Sequence, residues 1–337
     1  MRVTRVVICG NAATETVQTA TSIGDRARAL RKRIDEKGLG LFANLDERGK
    51  FLNSLSPVER QRWVSLVVDR RLVHSLDGVR GVFEHATVDD LRMTYADLAD
   101  VVVCSEQQEQ SLMQERGQAD NRRPEVTSLE TVASASAFDH DAVRSTVAAG
   151  ETRDAVFDER IRPFAPWIER LVILDRYALT AVEKPYDPED GFKWLLRRLR
   201  EERRTQDPLK LVLTMAVKRS EIDAATVAYV IERFGLRHPD PELFKSIALN
   251  VVNEDTGQRH LHDRFFRFDG RVLDCGTGLA VFGQSQVFQR TRLSIGSYAE
   301  SEETLDLVEL EPTTGAASWR RNQQLWLARD RSPIDFD

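Results

Sequence analysis

Short apolar runs alternate with amphipathic stretches along this chain, which predicts buried strands separated by helices. In the N-terminal half the apolar runs are residues 5–9 and 101–104. Between these runs, apolar residues recur at helical spacing: Ile23, Ala27, Leu30 and Ile34. Gly38 follows them at the position of a C-terminal helix cap. The pattern predicts a mixed α/β domain over residues 1–117.

The C-terminal half carries a clearer strand–helix–strand–helix–strand pattern. Its apolar runs are residues 171–174, 209–217 and 247–252. The first connecting helix is predicted by an apolar stripe at i, i+3, i+4 and i+7, formed by Phe192, Leu195, Leu196 and Leu199. The second is predicted to be capped at Ser220 and to end near Phe234. This order predicts an α/β layer with parallel strand pairing.

The composition changes between the two halves, so we predict a linker region over residues 118–160. This region is polar and turn-rich at its start and then rich in small and β-branched residues, with few large apolar side chains. A second α/β domain is expected over residues 161–315. In the tail that follows, residues 316–337, the tryptophans Trp319 and Trp326 predict a helix packed on this domain.

The composition narrows the class of protein. The 337 residues are 41% hydrophobic and 30% charged, which allows two domains with their own cores and excludes a fibrous or disordered chain. A net charge of -6 excludes a generally basic nucleic-acid-binding surface, although a local basic site stays open. The widely spaced Cys9, Cys104 and Cys275 exclude a disulfide framework. Without a membrane-length apolar run or a signal peptide, a cytoplasmic protein is expected.

Several isolated features point to no cofactor or metal. The N-terminal half contains neither GxxxxGK[ST] nor GxGxxG, so no nucleotide-binding loop is predicted. The histidines outside the C-terminal motif show no metal-ligand spacing. Asp175 and Arg176 follow the run 171–174 at the carboxyl edge of the predicted sheet, where either a site or a structural ion pair is expected.

One motif in the C-terminal half carries specific chemistry: His262-x-Arg264-x4-Asp269-x6-Gly276-Thr277. It resembles the phospholipase D signature HxKx4Dx6GS, with Arg264 in place of the lysine. On a strand, His262 and Arg264 share one face. Two adjacent donors on one face suit a tetrahedral phosphate.

The wider pattern resembles the phospholipase D-like domain at the C-terminus of MIT-domain proteins, over about residues 165–311. The residues that extend the resemblance are Asp263, Gly270, Gly278, Leu279, Phe282 and residues 292–296. It implies an α/β sandwich for residues 161–315, so the expected fold class is α/β, with the mixed α/β domain preceding it. The N-terminal half shows no three-helix MIT module, so the family's role with the ESCRT machinery is not carried over.

The resemblance also implies roles for individual residues. In the superfamily the histidine attacks phosphorus, the lysine neutralises the phosphoryl oxygens and the aspartate supports the site. The corresponding residues here are His262, Arg264 and Asp269, which we expect to form a phosphate pocket. Thr277 would add a hydroxyl donor, and Arg271 would add positive charge.

Departures from the superfamily pattern argue against catalysis. An arginine cannot take the compact position of a lysine. Only one motif is present, so a site with two histidines would need either His260 or a dimer that pairs two copies of His262 across a two-fold axis. The family that the chain resembles is catalytically silent and binds anionic phospholipid head groups. The expected basic surface consists of Arg264, Arg267 and Arg271, with the arginine-rich face of residues 197–204.

We therefore expect an effector or interaction protein that recognises a phosphate or phosphodiester, of the kind found in bacterial anti-phage and other conflict systems. One alternative is a dimeric, metal-independent nuclease or phosphodiesterase with His262 as nucleophile. Another is an anionic-membrane binder that uses Phe265, Phe266 and Phe268. The expected partners are nucleic acid or a lipid head group, a second copy of the chain, and a protein bound by the N-terminal domain.

Overall fold

Strands and helices alternate in both halves of the chain, so the prediction of an α/β fold is confirmed. The computed structural model divides the chain into two units, Met1–Val143 and Arg144–Asp337. It describes residues 3–13, 23–68, 72–76, 86–116, 124–138, 146–183, 190–204, 207–218, 222–253, 264–297, 315–320 and 326–327.

An all-parallel sheet forms the centre of the N-terminal unit. Its strands are β1 (Thr4–Ile8), β2 (Gly38–Phe42), β3 (Val73–Ser75), β4 (Val101–Cys104) and β5 (Glu125–Ser128), in the order β3-β2-β1-β4-β5. The connections contain α1 (Ile23–Lys37), α2 (Leu45–Ser54), α3 (Pro57–Val68), α4 (Val88–Tyr95) and α5 (Glu106–Arg116). Because parallel strands are covered on both faces, they appear in the sequence as continuous apolar runs, as β1 and β4 do.

Helix α1 packs against the sheet with the face that the sequence predicts. Its buried apolar residues are Ala27, Leu30 and Ile34, each fully buried. They join a core in which the rings of Phe51 and Trp63 meet edge to face, with centroids 5.0 Å apart. Gly38 does not cap this helix as predicted: it is the first residue of β2, so the helix passes directly into the strand.

A mixed sheet forms the centre of the C-terminal unit. Its strands are β6 (Thr146–Val147), β7 (Arg170–Leu174), β8 (Leu209–Val217), β9 (Phe244–Asn253), β10 (Phe265–Phe268), β11 (Arg271–Cys275), β12 (Thr291–Ser297), β13 (Gly315–Arg320) and β14 (Trp326–Leu327). They lie in the order β14-β13-β9-β8-β7-β10-β11-β12-β6. The neighbours β7, β8 and β9 are parallel, as predicted, and the other neighbouring pairs are antiparallel.

Four helices and two 3-10 segments accompany this sheet in the described residues: Ala165–Trp167, and Gly278–Phe282, which we call the 3-10 turn. The helices are α6 (Arg153–Arg160), α7 (Ala178–Glu183), α8 (Gly191–Glu202) and α9 (Ala224–Arg233). The predicted apolar stripe of α8 is buried, and Asp223 caps α9 by accepting a hydrogen bond from the Thr226 amide at 2.7 Å. The predicted cap, Ser220, lies outside the described residues. None of the helices in the described ranges is long and apolar enough to cross a membrane.

The structure differs from the predicted layout between and after the two domains. Residues 118–160 contribute β5 to the N-terminal sheet, and β6 and α6 to the C-terminal unit. Trp319, expected on a helix, lies in β13 opposite Ile247 of β9. Each of these strands is fixed by pairing with another strand, β5 with β4, β6 with β12 and β13 with β9, which local patterns do not reveal.

Candidate functional site

The carboxyl end of β7 leads into a buried aspartate that joins two distant segments. Asp175 is 1% exposed. Its Oδ1 accepts a hydrogen bond from the Tyr177 amide at 2.9 Å, a common local bond of aspartate, and its Oδ2 accepts one from the Leu279 amide at 2.7 Å. Because Leu279 lies in the 3-10 turn, Asp175 fixes the loop after β11 to the end of β7.

Gly278 makes this junction possible. Its φ of +60° lies in the left-handed region that glycine tolerates best. A Cβ at this position would lie 2.1 Å from Oδ2 of Asp175. A side chain here would therefore displace the buried carboxylate.

Arg264 reaches the same loop from the start of β10. Its Nη1 donates to the Gly276 carbonyl, and its Nε lies 3.9 Å from Oδ1 of Asp175. Its Cζ lies over the Tyr177 ring, 4.7 Å from the centroid, in a favourable cation–π contact. The side chain is 23% exposed, so the guanidinium is held in place while part of it faces solvent.

Two opposing effects set the protonation of Asp175. Burial raises the pKa of its carboxyl group above the usual range. The two backbone hydrogen bonds and the positive charge of Arg264 lower this pKa again, though by less than burial raises it. Arg264 therefore helps to keep the Asp175 carboxyl group ionised.

We expect Arg264→Ala to destabilise the C-terminal unit by about 1–3 kcal/mol at neutral pH, because a hydrogen-bonded charged group loses its partners. The difference in stability between the variant and the wild type should become smaller as the pH falls. Without Arg264 the folded-state pKa of Asp175 rises further, so the folded variant takes up a proton at a higher pH than the wild type does. This proton uptake stabilises the folded variant. The stability of Arg264→Ala therefore approaches that of the wild type as the pH falls through this raised pKa.

Urea unfolding of both proteins at a series of pH values from acidic to neutral measures this effect. The control is Asp175→Asn, introduced into the wild type and into Arg264→Ala. Without the carboxyl group, the difference between the two proteins should no longer depend on pH. If the stability difference between the wild type and Arg264→Ala does not change with pH while Asp175 is present, Arg264 does not lower the pKa of Asp175.

A cleft of about 350 Å³ opens beside this loop. We call it the Arg264 cleft, and the polar and aromatic residues that line it include Tyr177, Thr180, Arg264, Thr277, Gln284 and Phe288. The structure therefore brings together Arg264 and Thr277, two residues of the predicted site. The guanidinium of Arg264, the hydroxyl of Thr180 and the carboxamide of Gln284 can each donate a hydrogen bond to an anionic oxygen. The Thr277 Oγ1 is buried and does not face the cleft.

A second cleft, of about 230 Å³, lies at the carboxyl ends of β7 and β8. We call it the Tyr229 cleft, and the residues that line it include Arg176, Tyr177, Thr180, Glu183, Lys218 and Tyr229. Among the charged residues lining the two clefts, three are cations and one, Glu183, is an anion. The joint surface is therefore positive, although the whole chain is negative.

Asp269 lies away from Arg264. It occupies the turn between β10 and β11 with a φ of 51° and is 6% exposed. Its carboxylate accepts hydrogen bonds from the Glu169 and Arg170 amides, each at 3.0 Å. Since β10 and β11 form a hairpin, this turn and Arg264 lie at opposite ends of it. Asp269 thus fixes the start of β7 and does not line the Arg264 cleft.

The arginines that were expected to form one basic surface do not lie together. Arg271 is 1% exposed and Arg267 is 6% exposed, with the Arg267 Nε donating to the Asp269 carbonyl at 2.8 Å. The arginines of α8 pair with acids: Arg197 with Glu201, Arg198 with Asp158 and Arg200 with Asp240. The cations that accompany Arg264 are instead Arg176 and Lys218. In the sequence, these two residues could be found by their position just after the apolar runs of buried strands.

The two histidines of the motif, His260 and His262, lie outside the described residues. Within the described parts of the chain, no group of three or more His, Cys, Asp or Glu side chains could hold a metal ion. Burial raises the pKa values of the Cys104 and Cys275 thiols to about 12, so neither is a thiolate at neutral pH.

In the N-terminal unit, the loop after β1 is closed by a carboxylate. The Gly10 amide donates to Oε2 of Glu47 at 2.7 Å. A phosphate approaching this amide would therefore meet a negative charge, which agrees with the lack of a phosphate-binding motif in this half.

Comparison of the chain with protein-family models, curated proteins and solved structures finds no match. The functional assignment therefore rests on the side chains that line the two clefts of the C-terminal unit.

Proposed function

We propose that the C-terminal unit binds a phosphate or phosphodiester group in the Arg264 cleft and serves as a recognition module without catalysis. The observation that carries this proposal is the anchoring of Arg264 by the Gly276 carbonyl and the Tyr177 ring. A guanidinium presents its donors in a planar fork that matches phosphate oxygens. Because the fork is fixed in advance, less side-chain entropy is lost when an anion binds.

The surroundings of Arg264 suit an anion. Asp175 does not line the cleft, and both of its oxygens already accept backbone hydrogen bonds. Gln284 adds a neutral donor, whereas the Thr277 Oγ1 is buried and does not face the cleft. Among the described residues that line the Arg264 cleft there is no histidine, cysteine or carboxylate, so we assign them to binding rather than to acid–base chemistry.

The resemblance to the phospholipase D-like domain of MIT-domain proteins supports the same proposal, since that family implies anion binding without turnover. The enzymatic alternative depends on His262, two residues before Arg264, and on a second histidine. The membrane alternative loses support because Phe266 and Phe268 are 0% and 2% exposed and belong to the core.

Isothermal titration with pyrophosphate tests the proposal. We expect Arg264→Ala to lower the affinity about 10-fold or more, because a charge-assisted hydrogen bond contributes about 1.5–3 kcal/mol and 1.4 kcal/mol corresponds to a factor of ten. The matched control is Arg197→Ala, which removes an exposed arginine that lines neither cleft. Equal affinities of the two variants, or no binding by the wild type, would overturn the proposal.

Hydrolysis of bis(4-nitrophenyl) phosphate in the presence of EDTA separates binding from catalysis. We expect no turnover by the wild type. Turnover that disappears in His262→Ala and persists in Arg197→Ala would establish the metal-independent phosphodiesterase instead.

A further inference from the structure

The Arg264 cleft and the Tyr229 cleft meet at one exposed aromatic ring. Tyr177 lines both clefts and is 40% exposed. Thr180, one helical turn further along α7, also lines both. A ligand longer than one phosphate group would therefore pass over the Tyr177 ring from one cleft into the other.

The exposed aromatic side chains of the described residues are concentrated at this place. Tyr177 is 40% exposed and Phe288 is 82% exposed, and both line the Arg264 cleft. The large aromatic residues of the core are buried instead, as are Trp63, Trp194 and Phe282. An exposed phenylalanine beside cations offers a flat apolar face on which a nucleobase can stack.

Positive charge lies on both sides of Tyr177. Arg264 lines one cleft, and Arg176 and Lys218 line the other. The Cζ atoms of Arg264 and Arg176 lie 4.7 and 4.8 Å from the centroid of the ring. The two guanidinium groups are therefore separated by no more than the sum of these distances, which is short enough to contact neighbouring phosphates of one strand.

Polar side chains that can read or hold a base are placed next to Phe288. Gln284 and Gln289 line the same cleft. Each carboxamide offers two N–H donors and one carbonyl acceptor, the set of groups that the edges of nucleobases pair with. The single carboxylate of the joint surface, Glu183, accepts a hydrogen bond from the Tyr229 hydroxyl at 2.6 Å.

We infer that the ligand of the Arg264 cleft is single-stranded nucleic acid. Its phosphates lie at Arg264 and at the pair Arg176 and Lys218, and a base stacks on Phe288, while the Tyr177 ring holds the guanidinium groups of Arg264 and Arg176 in place. This inference rests on the proposed function. A duplex keeps its bases stacked inside and cannot offer them to the Phe288 ring, and a membrane surface would meet Phe288 without filling either concave cleft.

Fluorescence polarisation with labelled oligo(dT) and oligo(rU) of about 12 nucleotides, within the usual site sizes, tests the inference. We expect at least one of these single strands to bind more tightly than a duplex of the same length. Phe288→Ala should weaken this binding about 5-fold to 100-fold, since base stacking on one aromatic ring has that effect. The control Met113→Ala shortens another exposed apolar side chain, in the N-terminal unit, and should leave binding unchanged.

Two further readouts separate the inference from the proposed function. Phe288→Ala should bind pyrophosphate as the wild type does, because its ring contributes no charge. Lys218→Ala should reduce the slope of log affinity against log salt for the single strand by about 0.7, the value for one phosphate contact.

The outcomes are distinct. Single-strand binding that is insensitive to Phe288→Ala, or that is matched by the duplex, would overturn the inference, while pyrophosphate binding that depends on Arg264 would keep the proposed function. Binding to phosphatidylserine vesicles without binding to either oligonucleotide would overturn the inference in favour of a membrane. Loss of binding to every probe, pyrophosphate included, would overturn both.

Discussion

Gly278→Ala is expected to destabilise the C-terminal unit by at least about 4 kcal/mol. Holding a non-glycine residue in the left-handed region costs about 1–2 kcal/mol. In addition, the new Cβ would lie 2.1 Å from Oδ2 and 2.4 Å from Cγ of Asp175, so the buried carboxylate would have to move. It would then lose the hydrogen bonds from the Tyr177 and Leu279 amides, and bonds to a charged group contribute about 1.5–3 kcal/mol each.

Urea unfolding of the full chain measures this loss, and Gly150→Ala is its matched control. Gly150 also has a positive φ, of 88°, but no atom within 4 Å of the position that its Cβ would take. Its replacement should therefore cost only the backbone term, about 1–2 kcal/mol. If the two variants lose equal stability, the contact with Asp175 is not what demands glycine at position 278.

The parallel part of the C-terminal sheet could be predicted because its signals are local. Strands β7, β8 and β9 are rich in apolar residues, and α8 carries four apolar residues at helical spacing. Parallel pairing then follows from the alternation of strands and helices, since each connection must return the chain to the same end of the sheet. These elements are the ones that the structure confirms.

The elements that were missed are fixed by the strand that each one pairs with, and not by an apolar pattern of their own. Strand β5 has no long apolar run, and two of its four residues are Thr127 and Ser128, yet both are buried beside β4. Trp319 suggests a helix by its spacing from Trp326, but the strand β13 that holds it pairs with β9. Local propensity is overridden in both places by the edge of an existing sheet.

The residues of the candidate site could also be predicted only in part from the local sequence. The motif predicts Arg264, Thr277 and Asp269 as neighbours, and the structure brings only the first two together. The short strand β10 carries Arg264 before its start and Asp269 after its end, so a small separation in sequence is a full strand length in space. The carboxylate beside Arg264 is Asp175 instead, which is 104 residues from its partner Leu279 and therefore lies outside any local motif.

The second large effect is expected from Trp194→Ala, at about 3–5 kcal/mol, as for other buried tryptophans. Trp194 is 1% exposed and stacks on Phe282, with centroids 5.6 Å apart and an interplanar angle of 15°. It also meets Phe157 edge to face at 5.8 Å. Because Phe282 is the last residue of the 3-10 turn, Trp194 supports the turn whose next residue, Gly283, lines the Arg264 cleft.

Trp194→Ala should therefore weaken pyrophosphate binding as well as stability, whereas most core substitutions would change stability alone. Phe234→Ala is the control for this distinction: Phe234 is 2% exposed and packs against Phe192 at 5.0 Å, but it contacts α8 from the end of α9 and lines neither cleft. Unfolding curves and titrations on the folded proteins at low temperature compare the two variants. If both lose similar stability and both keep wild-type affinity, the position of the 3-10 turn does not depend on Trp194, and the contacts of Asp175 and Arg264 suffice to hold the loop that carries Thr277.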